Sequence, residues 1–310
     1  MKIFFRHLFK QRPCLRAVDI GTYEIKLIEL RMSRGVPRIH KYASIATPPP
    51  REGTLAEEAI AQVLASLTEL AGVKGKEVIT AISGARVITR QIKIPFMEER
   101  DLEDTVKSEA ARHIPLPVED LTLRYVKLGQ EKEEGTDQLN IMLIAVPTAL
   151  VEQYYHIFFM AGLTPKAIDL QAFGLWRLFG RPASPSILAI FDIGITYSQV
   201  LVLQAGEIKF LRGITLGSNA GIHNLALELK RSLDYYCGQR AEETIERVIL
   251  TGGGSKIKGV ESYLSNSCGI PIKVEIPTCW QVYGKKAAQD LPYDPSYAVP
   301  LGLALREVDV

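Results

Sequence analysis

Two stretches of this sequence carry the same short chemistry far apart. Ala17-Val18-Asp19-Ile20-Gly21-Thr22 leads into the alternating run from Tyr23 to Leu30, and Phe191-Asp192-Ile193-Gly194-Ile195-Thr196 leads into Tyr197 to Leu203. In each, an apolar strand delivers an aspartate, a glycine allows a tight turn close to a ligand, a hydroxyl residue follows, and alternation resumes as a half-buried strand. One such turn is equally an ordinary hairpin. Two, followed by Thr251-Gly252-Gly253-Gly254-Ser255, read as a nucleotide cleft between two related halves. A triphosphate with magnesium needs amides and hydroxyls around its oxygens, a balancing cation, and carboxylates that hold the metal, usually through water. Gly21 and Thr22 supply the first, Lys26 the second and Asp19 the third, with Asp192, Gly194 and Thr196 in the corresponding roles opposite.

The elements that must position these groups follow an α/β order. A helix expected from Thr54, with Leu55, Ile60, Val63, Leu64, Leu67 and Leu70 at helical spacing, lies between the first hairpin and a buried strand at Val78 to Ile82. Pro37 and Pro48-Pro49-Pro50 are read as interrupting regular structure. A strand edge is expected over 84–95, a charged helix from Phe96 to about His113, strands over 121–128 and 140–146 around a solvated turn at 131–135, and a helix over 148–162. A short strand then enters a helix between Lys166 and Arg177. After Pro182 and Pro185 come the second hairpin, a strand over 208–214, a helix from Ile222 to about Gly238, a buried strand at 246–250, the glycine run and a helix over 256–267.

The 310 residues are 47% hydrophobic and 23% charged, enough for a large core and more than one domain. A formal net charge of +2 and the lack of basic runs interleaved with aromatics disfavour nucleic acid as a partner. Cys14, Cys237, Cys268 and Cys279 form no Cys-x-x-Cys pair, which fits a reducing compartment, the cytoplasm by default. The longest apolar run, Ile141 to Val151, is shorter than the roughly 20 residues of a membrane span and contains Pro147, so no integral membrane protein is expected. Met1 to Arg16 alternates Ile3, Phe4, Phe5, Leu8 and Phe9 with Lys2, Arg6, Lys10, Arg12 and Arg16 and has no acid. Arg6 cuts the hydrophobic stretch too short for a secretory signal, leaving a basic tail that is either solvated or laid on an anionic membrane or a partner.

Beyond the paired hairpins, Glu109-Ala110 followed by Ile114-Pro115-Leu116-Pro117, then Ile144-Ala145-Val146-Pro147 through Ala161-Gly162-Leu163 to Ile168-Asp169-Leu170, and Ser232-Leu233-Asp234-Tyr235-Tyr236 are specific. With these, the sequence from Ala17 to the carboxyl terminus resembles the actin-like nucleotide-binding superfamily and, within it, the PilM group related to the cell-division protein FtsA. The resemblance implies an α/β, actin-like (ribonuclease H-like) two-lobed fold with an FtsA/PilM-type inserted subdomain. Its expected divisions are a basic tail over 1–16, a first lobe over 17–82 and 163–184, the insert over 83–162 and a second lobe over 185–310. It places Lys26 where the superfamily keeps a phosphate-contacting lysine, makes Gly252, Gly253, Gly254 and Ser255 similar to the adenosine motif, and implies ATP or ADP with Mg as cofactor. Asp169 and Gln171 fall where related ATPases position attacking water, a place that an ordinary strand-end polar residue fills equally well.

Two departures stand out. Gly213 to Gly221 passes almost directly into the Leu225 to Tyr236 helix, leaving no room for the usual fourth subdomain. The second lobe is therefore expected to be reduced, with one side of the adenine site open and hydrolysis less secure than binding. Arg124-Tyr125 stands where the group commonly has an Asp before the aromatic residue. The resemblance also implies a cytoplasmic scaffold at the inner face of the inner membrane, gripping the cytoplasmic tail of a PilN-type membrane protein between first lobe and insert. It would associate with the membrane through partners and communicate with the pilus motor ATPases. Two alternatives stay open: a working actin-like ATPase, and a platform component of a type II secretion (GspL-like) or MSHA pilus system. GspL proteins normally continue into a membrane span, which this sequence lacks through Val310.

Overall fold

A computed structural model describes residues 15–49, 57–82, 84–133, 135–180, 186–238, 243–277, 280 and 293–308. The expected Thr54 cap, Pro182, Pro185, Cys14, Cys279 and nearly all of the tail lie outside them. The chain forms β1 (Arg16–Ile20), β2 (Glu24–Ser33), β3 (Val36–Ala46), α1 (Glu57–Leu70), β4 (Glu77–Ile82), β5 (Ile88–Pro95), α2 (Glu99–His113), β6 (Leu121–Glu133), β7 (Thr136–Pro147), α3 (Thr148–Met160), β8 (Thr164–Leu170) and α4 (Gln171–Phe179). There follow β9 (Ile187–Ile193), β10 (Ser198–Gln204), β11 (Glu207–Ile214), α5 (Ile222–Gly238), β12 (Ile245–Thr251), α6 (Val260–Cys268), β13 (Ile272–Lys273) and α7 (Ala298–Ala304).

Two five-stranded sheets repeat one plan. The first has order β3-β2-β1-β4-β8 and the second β11-β10-β9-β12-β13, each with an antiparallel meander on one side and parallel strands on the other. The central strands β1 and β4 are apolar almost throughout because helices or the other lobe cover both of their faces. In β9 and β10 the alternation sorts the cores. Ile187, Ala189, Phe191, Val200 and Val202 pack with Leu225, Leu229 and Leu264 of α5 and α6. Leu188, Ile190, Leu201 and Leu203 turn the other way and join the core of the first sheet. The third sheet, β5-β7-β6, packs Ile92, Ile94, Ile141 and Leu143 against Leu102, Val106 and Ala110 of α2.

The second lobe is reduced as expected: β11 passes through 215–221 straight into α5. Several expected boundaries change. Pro37 does not interrupt structure but lies within β3, opposite Met32. β3 is an edge strand, where a residue without an N–H leaves no central ladder bond unmade. Much of the expected solvated turn over 131–135 is strand instead, because β6 and β7 pair out to Glu133↔Thr136. The helix behind the glycine run starts as a 3₁₀ turn at Gly253–Lys256 and is broken by left-handed Gly259 (φ 81°) before α6. α7 lies in the span assigned from sequence to the second lobe, yet packs on α4, β1, β2 and β4 of the first sheet. Its sequence hides it, since Pro300 and Gly302 are poor helix formers. Its buried environment explains both: a Cβ on Gly302 would run into the backbone of Gly174 in α4. α3, read as part of the insert, likewise packs on α1 and β8.

Candidate functional site

Register places the two aspartates. Asp19, next to last in β1, lies opposite Lys26 of β2, and Asp192, next to last in β9, lies opposite Gln199 of β10. In both hairpins the next turn is held by a glycine. Gly21 donates its N–H to the Glu24 carbonyl at 3.1 Å and Gly194 donates to the Tyr197 carbonyl at 2.9 Å. A Cβ would lie 2.7 and 2.6 Å from those same oxygens, so the glycines are required by close approach. The hairpin tips meet across the cleft, with Thr22 Oγ1 3.3 Å from Thr196 Oγ1.

Between them lies a cavity of about 280 Å³ lined by Asp19, Gly21, Thr22, Lys26, Asp192, Gly194, Gly252, Gly253 and Gly254. With Gln171, ten residues singled out from sequence thus line one cavity. Gly253 faces open space, whereas Gly252 (φ 82°) is pressed against the second hairpin, where a Cβ would meet Asp192 Oδ1 at 2.5 Å. Ser255 turns inward instead, donating its hydroxyl to the Gly252 carbonyl at 2.7 Å. Thr196 stands at the rim through its contact with Thr22. Tyr23, Glu24, Tyr197, Ser218, Lys256 and Ser296 also line the cavity and were missed from sequence. Ser218 was hidden because a different loop brings it in: its N–H donates to the Gly194 carbonyl at 2.9 Å.

The carboxylates are held by amides. Gln171 Nε2 donates to Asp19 Oδ1 at 2.8 Å, and Gln199 Nε2 donates to Asp192 Oδ2 at 2.9 Å. Burial raises the Asp19 pKa above its ordinary value, against the pull of Lys26 and the Gln171 hydrogen bond. Burial likewise pushes Asp192 up to about 6; the Gln199 bond and Lys26 oppose this, and the nearby Asp19 charge adds to it. Lys26, itself buried, is 3.7 Å from Glu24. The pair is therefore under-neutralised, the electrostatic condition that favours a cation between them. Asp169 takes no part. Its carboxylate lies 2.7 Å from Arg177 and 3.4 Å from Arg306, accepts the Leu170 N–H, and ties β8 to α4 and to the turn after α7. Gln171, by contrast, reaches the cavity.

Tyr197 connects this site to its surroundings. Its ring also lines a larger cavity of about 720 Å³ between the lobes, and its hydroxyl is packed so closely on Gly84 and Gly213 that a Cβ at either would collide with it. Burial raises its pKa above the ordinary tyrosine range. A third groove, about 650 Å³, opens where the three-stranded sheet joins the first lobe. Glu57, Arg86, Ile88, Leu116, Pro147, Ala149, Leu150 and Gln153 line it.

The sequence profile described as type IV pilus assembly protein PilM matches residues 17–221 and 219–308. The chain belongs to the PilM family. Among solved structures, a chain of a PilM-PilN type IV pilus biogenesis complex superposes with a TM-score of 0.82 at 28% identity, covering 95% of this chain and 98% of that one. The ethanolamine utilization protein EutJ from Carboxydothermus hydrogenoformans matches with a TM-score of 0.54 at 16% identity, over 94% of this chain and 88% of that one. The cytoplasmic domain of EpsL, an inner membrane component of the Vibrio cholerae type II secretion system, gives 0.53 at 12%, over 94% of both chains. The last two show the fold alone, which is actin-like. The gap between 0.82 and 0.53 favours the pilus family over the secretion alternative. No helix among the described residues is long and apolar enough to cross a membrane.

Proposed function

We propose that this protein is a cytoplasmic scaffold of the type IV pilus inner-membrane platform that holds an extended peptide from the cytoplasmic tail of a PilN-type membrane protein. The groove between first lobe and insert carries the reading. It gathers Leu116 from the Ile114-Pro115-Leu116-Pro117 segment and Pro147 from the Ile144-Ala145-Val146-Pro147 segment, the family-specific motifs of the sequence. Leu116 is 44% exposed, and with Ile88, Ala149 and Leu150 it offers apolar anchor sites. Glu57 and Arg86 add charges of opposite sign. Glu57 is held below the ordinary carboxylate range, first by its hydrogen bond from His156, and bridges α1 to α3 through His156 at 2.7 Å and Gln153 at 3.1 Å. Such grooves bind extended peptides by apolar anchors, with polar groups fixing register. The match to a chain of the PilM-PilN complex names the partner chemistry. In this reading 17–82, 148–180 and 293–308 form the first lobe, 84–147 the insert and 186–277 the second lobe, and the platform connects to the pilus motor ATPases.

The hairpin cavity is assigned to ATP or ADP with magnesium. Two carboxylates and bordering hydroxyls suit an ion that keeps much of its water and takes the rest of its ligands from phosphate. Asp19 and Asp192 would hold that water shell, Gly21, Thr22, Gly194 and Thr196 would face the phosphates, and Lys26 would balance charge. At about 280 Å³ the cavity falls just below the usual range of ligand pockets, roughly 300–1,000 Å³, so it suits the phosphates while the base rests on the open side by Gly253. Titrating a PilN-type amino-terminal peptide into the full chain tests the scaffold reading. Binding that weakens at least about tenfold in Leu116→Glu is expected, the loss of one buried anchor plus an unpaired charge. No binding at high micromolar peptide overturns it.

A further inference from the structure

Two sheet edges open on the interlobe cavity. β5 is an edge strand of the three-stranded sheet and β11 an edge strand of the second lobe. Ile88, Thr89, Arg90 and Gln91 all line the cavity, and so do Phe210, Leu211, Arg212 and Gly213. Successive side chains of a strand point to opposite faces. Four consecutive lining residues therefore mean that the strand turns its edge to the cavity, and with it the backbone groups that its own sheet leaves unused. Among the described residues no backbone hydrogen bond joins either run to anything but its sheet neighbour. Arg90 caps the β5 edge locally, its Nη1 donating to the Thr89 carbonyl at 3.0 Å.

The rest of the lining says what suits the space. Tyr235 is 55% exposed, with its ring centroid 5.8 Å from that of Phe210, and the two give an aromatic wall. Tyr235 belongs to the distinctive Ser232-Leu233-Asp234-Tyr235-Tyr236 segment, which lines neither the hairpin cavity nor the groove at Leu116. Arg90 and Arg212 contribute positive charge, and no Asp or Glu lines the cavity among the described residues. Arg212 is tied to Glu228 at 3.0 Å, whereas Arg90 is exposed and is bonded only to its neighbour's carbonyl among the described residues. Gln171 and Gln199, the amides that hold Asp19 and Asp192, also line the space. Its volume of about 720 Å³ lies well inside the roughly 300–1,000 Å³ of ligand sites, and four strand residues span roughly 13 Å.

We propose that this cavity takes an acidic, extended segment of a partner protein, which adds as a further strand on the β5 edge. Main-chain hydrogen bonds to Thr89 and Gln91 supply affinity, the Tyr235–Phe210 wall seats alternate side chains, and Arg90 receives a carboxylate. β5 rather than β11 is the template, because Arg90 and Gln91 are exposed while Phe210 is buried. The inference does not depend on the peptide groove, with which this cavity shares only Ile88 among the lining residues.

Random peptides displayed on phage, selected on the full chain with a PilN-type amino-terminal peptide in excess, test it once the enriched sequences are synthesised. Acidic peptides are expected, and their binding should slow hydrogen exchange of the amides from Thr89 to Gln91. N-methylating each peptide amide in turn should weaken binding about fivefold at alternate positions, one strand bond each, and leave the positions between unaffected. Arg90→Glu, at an exposed site, should leave the melting temperature unchanged and weaken binding at least about tenfold, because like charges then meet. No enrichment, enriched peptides without acidic residues, exchange slowed only elsewhere, or an N-methyl scan without alternation overturns the proposal. Slowed exchange at Thr89 to Gln91 caused by the PilN-type peptide alone also overturns it, since that peptide then fills the space. The same change on raising protein concentration alone overturns it in favour of a second copy of the chain.

Discussion

Asp192→Asn removes a charge that the fold holds at a cost, and the variant is expected to be more stable than the wild type near neutral pH. Burial pushes the Asp192 carboxyl up to about 6 from an ordinary value of 3.8. Below the unfolded value both states keep the proton. As pH rises from there to about 6 the unfolded chain releases it while the native chain does not, so native stability falls through that window. A displacement of roughly two units is worth about 3 kcal/mol at most, less whatever solvent in the cavity screens. The Asn amide oxygen can still accept from Gln199, so the substitution mainly deletes charge. Urea unfolding of both proteins without divalent cation, at several pH values from about 4.5 to 7.5, measures the effect. The gap between variant and wild type should open as pH rises and level off above about 6. A gap that does not change with pH, or a variant less stable than the wild type at neutral pH, refutes the account of a buried, under-neutralised pair.

Further outcomes follow from the same contacts. Magnesium with ATP or ADP should raise the melting temperature of the wild type near neutral pH but not that of Asp192→Asn, and the increase should shrink below about pH 6, where Asp192 holds its proton. Gly302→Ala should destabilise the first lobe by about 1–3 kcal/mol or more, because its methyl meets backbone that cannot turn aside; a melting scan reads this. Gly84→Ala should displace Tyr197, lowering nucleotide affinity by calorimetry while leaving far-UV dichroism unchanged.

The paired hairpins were legible because strand alternation, a turn glycine and a terminal aspartate leave a local signature, and it recurs. Laying one hairpin on the other also exposes Gln199, which stands at the place of Lys26 and holds Asp192. The groove proposed to hold the peptide was legible only in pieces: Leu116 and Pro147 lie in distinctive segments, but nothing local says that they converge with Glu57 and Arg86. α7 was not legible, since its Pro300 and Gly302 are chosen for burial against α4 rather than for helix propensity. Pro37 misled because its cost depends on whether a strand lies at a sheet edge, which only the assembled sheet reveals. Asp169 has the composition of a catalytic residue, but Arg177 and Arg306 claim it.

The most direct test of the scaffold reading is where the peptide lies. A PilN-type amino-terminal peptide carrying a photoreactive group at its apolar anchor can be cross-linked to the full chain and the modified residues mapped by mass spectrometry. The account predicts cross-links to Ile88, Leu116, Ala149 or Leu150. Labelling confined to the hairpin cavity around Thr22 and Gly253, or to the interlobe cavity at Phe210 and Tyr235, contradicts it.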